Sequence, residues 1–251
     1  LDSAGGKPVG RIDLSHGSQP YGIVFGANGA SAYVTLQATG ELAKVDVASR
    51  TLINRLPIGP APHGLALAPD GRRLYVTRYI SPVNRGEVVE VDVDGFRVVR
   101  TLTLTMDPGP DSESSGRGTP NALYSAAVSP DGQSLWIPSK KDNTQRGLAT
   151  DGQKHTFEST VRAIVSRIDL TTGQEDLAAR HDFNNREGPT AAAFSLKGDL
   201  LFVVLRGSNA VDVLDAYSGE LVTTIENVGR APQGLAFSTD GTKLFVHAWL
   251  S

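Results

Sequence analysis

The sequence predicts an all-β chain assembled from repeated four-stranded antiparallel sheets. Three observations carry this prediction. An eleven-residue phrase recurs five times, at residues 25–35, 67–77, 128–138, 194–204 and 237–247. Leu67-Ala-Pro-Asp-Gly-Arg-Arg-Leu-Tyr-Val-Thr77 is its clearest copy, two short strands joined by a tight turn at Asp70-Gly71. The turn glycines are Gly29, Gly71, Gly132, Gly198 and Gly241, and the regular spacing between them is 42 or 43 residues. Finally, β-branched residues fall in short alternating runs among 27 glycines and 14 prolines, which suits many strands and many turns.

Each repeat divides into strands a to d. In the second repeat, strand a is 64–68, b is 73–77, c is 87–93 and d is 98–104. In the fourth, a is 191–195, b is 200–205, c is 210–215 and d is 221–226. Gly219 supplies a positive φ to the c–d turn of that repeat. Strand c repeats a Val-Asp-Val theme at Val45-Asp-Val47, Val91-Asp-Val93, Ile168-Asp-Leu170 and Val213-Leu-Asp215. Four antiparallel strands in about 40 residues make one blade of a β-propeller. A lone blade leaves both faces uncovered, whereas blades stacked around an axis cover one another. Residues 1–251 hold about five blades' worth of one propeller domain.

The phrase Pro-Asp-Gly-x-x-Leu-Tyr-Val-Thr at Pro69–Thr77 resembles the YVTN β-propeller repeat. Gly59-Pro-Ala-Pro-His-Gly64 and Gly229-Arg-Ala-Pro-Gln-Gly234 resemble its inter-blade joint. The resemblance spans nearly the whole chain and implies a WD40-like propeller. Members of this family include surface-layer and cell-surface proteins, lactonase-like enzymes and quinoprotein-dehydrogenase-like subunits. The stretches 139–147 and 156–162 resemble larger exported bacterial proteins that join such a propeller to a di-haem peroxidase-like domain. The resemblance therefore implies an extracellular, cell-surface or periplasmic setting. The chain has no cysteine, hence no Cys-x-x-Cys-His, and any haem would belong to another part of a longer protein.

Residues 1–14 align with 214–227, so the chain starts at the end of a strand c, and Ser251 aligns with Ser208, just before one. Two readings follow: part of a larger ring, perhaps of seven blades, or a five-bladed ring closed by pairing the termini. Glycine spacings of 61 and 66 in the middle repeats mark extra sequence. It falls mainly in the d–a joint at 105–121 and the b–c loop at 139–163. Strand direction alternates, so both emerge on one face, here called upper. Functional residues concentrate on loops carried by a rigid scaffold, and loops of this length are often functional.

Strand a lies innermost and begins at the upper face. Its entry residues Tyr21, His63, Tyr124, Thr190 and Gln233 are expected to ring the channel mouth, where a small ligand can bind. His63 is also a candidate base or ligand. The insertion offers Lys140, Lys141, Arg146, His155, Phe157 and Arg162 as candidates for a protein partner or adjacent domain. The alternative is an excursion folded back on its own propeller, with arginines paired to acids. Asp107, Asp111 and Glu113 place three carboxylates close together, yet without a calcium-loop spacing.

Nothing else announces chemistry. The histidines show no zinc spacing, and no nucleophile elbow, P-loop or dinucleotide fingerprint occurs. No metal or cofactor is expected. A net charge of −3 gives no reason to expect nucleic acid, and no apolar run reaches the ~18 residues of a membrane helix. The expected function is a non-catalytic binding scaffold. The alternatives are a propeller enzyme at the channel mouth, lactonase-like or quinoprotein-like, and a structural surface-layer module.

Overall fold

The computed structural model describes residues 6–112, 116–144 and 157–250. Five antiparallel sheets follow one another along the chain. Blade 1 is β1 (Pro20–Phe25), β2 (Ser31–Leu36), β3 (Glu41–Asp46) and β4 (Thr51–Pro57). Blade 2 is β5 (Pro62–Leu67), β6 (Arg73–Arg78), β7 (Arg85–Asp92) and β8 (Arg97–Thr105). Blade 3 holds β9 (Thr119–Asn121), β10 (Ala127–Val128), β11 (Ser134–Asp142), β12 (Val161–Asp169) and β13 (Gln174–Phe183). Blade 4 is β14 (Pro189–Phe194), β15 (Leu200–Leu205), β16 (Ala210–Asp215) and β17 (Leu221–Ile225). Blade 5 has β18 (Pro232–Phe237) and β19 (Leu244–Ala248). Strands pair in sequence order in blades 1, 2 and 4 and along β10 to β13 of blade 3, as a propeller meander requires.

The five a–b turns share one chemistry. Each turn glycine has φ between +68° and +77° and donates its N–H to the carbonyl three residues back. The residue before Gly29, Gly71, Gly132 and Gly241 is Asn or Asp. Its side chain accepts the backbone N–H two residues on, at Ala30, Arg72, Gln133 and Thr242.

The core lies between blades and repeats at each junction. The aromatic of strand b packs on the strand-a apolar pair of the following blade. Tyr33 shares an apolar cluster with Leu65 and Leu67, Tyr75 with Ala126 and Val128, and Trp136 with Ala192 and Phe194. Phe202 meets Phe237 edge-on at 5.0 Å. Hydrogen bonds reinforce two of these junctions. Thr35 Oγ1 accepts the Gly22 N–H at 2.8 Å and donates to the His63 carbonyl of blade 2 at 2.8 Å. Thr77 Oγ1 repeats this with Gly64 N–H and Leu123 carbonyl, both at 2.8 Å. Glycine lets strands a come this close: a Cβ on Gly22 would lie 2.5 Å from the His63 carbonyl oxygen.

Two expectations change. The insertions at 105–121 and 139–163 are not loops throughout. β11 and β12 extend as a nine-residue ladder from Ser134↔Asp169 to Asp142↔Val161, and β9 pairs on the other side of β11. The polar run Ser-Lys-Lys-Asp reads as loop by composition, but its backbone finds partners on both sides. Closure of a five-bladed ring by pairing the termini is also not what the described residues form. β19 pairs only with β18, and residues 6–19 form no strand.

Candidate functional site at the channel mouth

The start of strand a and the exit of strand b bring side chains from four blades to the upper mouth. The Tyr21 ring stacks on His63 with centroids 3.4 Å apart, and Tyr79 stacks on His63 at 4.6 Å. Tyr124 meets His63 and Tyr79 edge-on at 6.1 and 5.4 Å. His63 Nδ1 is 2.8 Å from the Tyr124 carbonyl oxygen, which fixes the ring against blade 3. The exposed guanidinium of Arg206, from blade 4, acts electrostatically on both Tyr21 and Tyr124. A cavity of about 460 Å³ opens here, lined by Tyr124, Glu187, Arg206, Asn209 and Arg230 among others.

These groups are held neutral or fixed in charge. Burial pushes the His63 pKa down, and the bond to the Tyr124 carbonyl offsets this only in part. Burial, then the neighbouring phenol of Tyr79, raises Tyr21, against the pull of Arg206. Tyr124 is raised by burial and by its hydrogen bond with Tyr79. The mouth thus offers an aromatic surface, neutral hydroxyls and the exposed cations Arg206 and Arg230. His63 is only 3% exposed and stacked on both faces, which leaves little of the imidazole open to a substrate.

The entry residues therefore separate. Tyr21, His63 and Tyr124 come together. Thr190 is buried at the wall, 3.5 Å from the Pro232 carbonyl. Gln233 is half-buried on blade 5 and joins no ring contact. Tyr79 and Arg206 are the residues that strand-a reasoning missed. Both stand two positions beyond the strand-b site occupied by Thr35 in blade 1. That site's second neighbours are Gln37, Tyr79, Lys140, Arg206 and Trp249, a second ring readable from the same repeat alignment.

The insertion candidates also separate. Lys141 is 1% exposed, and its Nζ bonds to Asp107 at 2.8 Å and Asp182 at 3.0 Å. Arg162 is 3% exposed and donates to Asn184 Oδ1 and the Ser112 carbonyl. Both are corrected from partner anchors to internal fasteners, because each buried cation needs the nearby acceptors of its own chain. They tie the two insertions together. Lys140 remains partly open beside Asp142 at 3.2 Å. Arg146, His155 and the Phe157 side chain lie outside the described residues. Asp107 and Asp111 face Lys141 and Arg117, so their neighbours supply the positive charge a cation would bring. Glu113 is outside the described residues. Among those described, no group of three His, Asp or Glu is placed to hold a metal ion.

No family model matches the chain, and no curated protein matches its sequence. Solved structures do. The β-propeller domain of Myceliophteria thermophila Cps50 (Swd1) aligns with TM-score 0.63 at 14% identity, over 93% of this chain and 64% of that one. A functionally unknown protein of Desulfotomaculum acetoxidans aligns with TM-score 0.62 at 14% identity, over 94% of this chain and 64% of that one. Kuenenia stuttgartiensis hydrazine synthase aligns over 96% of both chains at 15% identity, but with a TM-score of 0.43, too low to weigh. The chain thus spans less than two thirds of the length of each of the two better-matching structures. At these identities the likeness establishes fold alone: a β-propeller of several blades.

Proposed function

We propose that this chain is a non-catalytic binding scaffold whose channel mouth receives a ligand or partner segment. The observation that carries the reading is the convergence of Tyr21, Tyr79 and Tyr124 around His63, with Arg206 within electrostatic reach. An exposed Tyr21 flanked by the half-buried Tyr79 and Tyr124, beside an arginine, supplies the residue types that anchor interfaces. His63 serves here as a positioning residue, stacking the two tyrosines. The YVTN-like phrases support membership of an exported cell-surface or periplasmic protein. The resemblance of 139–147 and 156–162 to propellers joined to di-haem domains supports a redox-associated one, with the haem carried elsewhere.

A displayed peptide library selected on the chain tests this reading. Selected peptides should lose binding to Tyr21→Ala and Arg206→Glu variants that keep the parent melting temperature. Selection that yields only peptides indifferent to both variants sinks the proposal.

A further inference from the structure

The rim of the mouth is charged on one side and apolar on the other, and hydrogen bonds hold both sides in place. On blade 4, residues Arg206–Ser208 form a single 3-10 turn. Three bonds pin it to the preceding joint. Arg206 N–H donates to the Gly188 carbonyl at 2.8 Å, Gly207 N–H to the Glu187 carbonyl at 3.0 Å, and Glu187 N–H to Ser208 Oγ at 3.1 Å. Asn209 Oδ1 then accepts the Ala231 N–H of blade 5 at 2.9 Å. The backbone beneath Arg206 is therefore fixed. Its guanidinium makes no hydrogen bond or ion pair among the described residues, and it lines the cavity of about 460 Å³. Arg78, Arg162 and Arg186, by contrast, each sit on acceptors of their own chain.

The apolar side belongs to blade 2. Tyr79 N–H donates to the Ala61 carbonyl at 2.8 Å, Ser81 N–H to Asn121 Oδ1 at 3.0 Å, and Thr119 Oγ1 to the Val83 carbonyl at 2.6 Å. The segment is thus tied down at three points, yet Ile80 is 62% and Val83 76% exposed. No large apolar side chain among the described residues is more exposed than Val83. Apolar groups ordered in water contribute no burial to the chain's own fold, but a preformed contact surface lowers the cost of binding. Tyr79 adjoins Ile80, Tyr124 shares the cavity wall with Arg206, and the two rings meet at 5.4 Å. They bridge the apolar side to the charged one.

We infer that the mouth receives an acidic protein segment, with a carboxylate on Arg206 and an apolar side chain on Ile80 and Val83, laid across Tyr124 and Tyr79. This rests on the reading of the mouth as a binding site and adds the partner's chemistry to it. Charge complementarity identifies the partner. The chain carries a net charge of −3, but the cavity wall carries two arginines and one glutamate. That glutamate, Glu187, lies along Gly207, where a Cβ would come within 2.8 Å of its Oε2. The planar fork of Arg206 matches a carboxylate through two parallel bonds. The phenols of Tyr21 and Tyr124, raised chiefly by burial, stay protonated and do not repel an acid. A nucleic-acid strand suits the rim less well, because it needs a run of cations along its phosphates, and here Glu187 interrupts the arginines.

Calorimetric titration of the full chain with short capped peptides tests the inference. The probe has two leucines toward one end and two glutamates toward the other, and is made in both sequence orders. Its companions carry glutamine or lysine in place of glutamate. The glutamate probe should bind about tenfold or more tighter than the glutamine probe, and less tightly as salt rises. Arg206→Glu should reverse the order, so that the lysine probe binds best, a switch that a merely structural role for Arg206 would not produce. Val83→Ser should weaken the glutamate and glutamine probes by the same factor. Both positions are exposed, so the variants should keep the parent melting temperature. Glutamine and glutamate probes that bind equally, and lose binding in Tyr21→Ala, overturn the inference and leave the mouth reading standing. A short oligothymidylate that binds more tightly than the glutamate probe, and is lost in Arg206→Glu, overturns it in favour of nucleic acid. Should no probe bind, the displayed library decides. Tyr21-dependent peptides rich in Asp and Glu support the inference, and Tyr21-dependent peptides without them overturn it. A library that yields no Tyr21-dependent peptide overturns both readings.

Discussion

Replacing Thr77 by Val tests the claim that a strand-b hydroxyl fastens one blade to the next. Thr77 is fully buried, and Val keeps its shape while removing the oxygen. The oxygen accepts from Gly64 N–H and donates to the Leu123 carbonyl, both at 2.8 Å. Gly64 and Leu123 are themselves buried, so neither group regains water. A buried polar group left without a partner costs about 1–3 kcal/mol, so two cost about 2–6 kcal/mol. Even about 2 kcal/mol lowers the melting temperature of a chain this size by about 4 °C or more. Thr77→Ser retains the hydroxyl and removes one methyl, at about 1 kcal/mol. Chemical denaturation of the three proteins separates the terms. Val should lose clearly more than Ser. Equal losses, or a Val variant as stable as the parent, would refute the fastening role and leave packing as the explanation. Thr35→Val should behave alike, since Thr35 bridges Gly22 and His63 in the same way.

Other outcomes follow from the same geometry. Asp182→Asn weakens the hold on the buried Lys141, which keeps only Asp107, and should cost about 3 kcal/mol in a urea titration; a change below about 1 kcal/mol would show the pair to be solvent-screened. Gly64→Ala places a Cβ 2.5 Å from the Ser125 backbone and should destabilise by about 1–3 kcal/mol, whereas Gly234→Ala should be nearly neutral in thermal melts. His63 and His181 are both shifted down, chiefly by burial. Their unfolded pKa is about 6.5, so on acidification the unfolded chain protonates first. Stability is therefore full above about pH 7 and declines as pH falls through 6.5 toward the folded values. His63→Gln should flatten part of that decline in melting temperature measured from pH 7.5 to 5.5. For Asp107, burial acts upward, but the bonds from Lys141 and the Gly109 N–H prevail and lower its pKa. Its contribution is present above about pH 4 and lost below it, so acid unfolding should begin at higher pH in Asp107→Asn.

Much of the fold was legible because propeller strands obey short-range rules. The turn glycines need a positive φ, and alternation puts Tyr75 on one face and Leu74 and Val76 on the other. Strands β15 and β16 match their predicted bounds of 200–205 and 210–215. The same ruler located both insertions and put Tyr21, His63 and Tyr124 at one mouth. What sequence reasoning got wrong involved charge. Lys141 and Arg162 look like surface cations in a polar run, and the acids that hold Lys141, Asp107 and Asp182, lie 34 and 41 residues away along the chain. Such pairing depends on where two insertions meet in space, and residue types do not encode that.

The sequence by itself determined the repeat, the turn chemistry, the strand faces and the side on which the extra residues emerge. Those follow from backbone sterics and from a two-residue side-chain period. Only the tertiary structure decided which blade face meets which, that His63 is clamped between two tyrosines, and that Arg206 opens on the same mouth. Burial is a property of neighbours, and the neighbours of a blade are set by the closing of space around an axis.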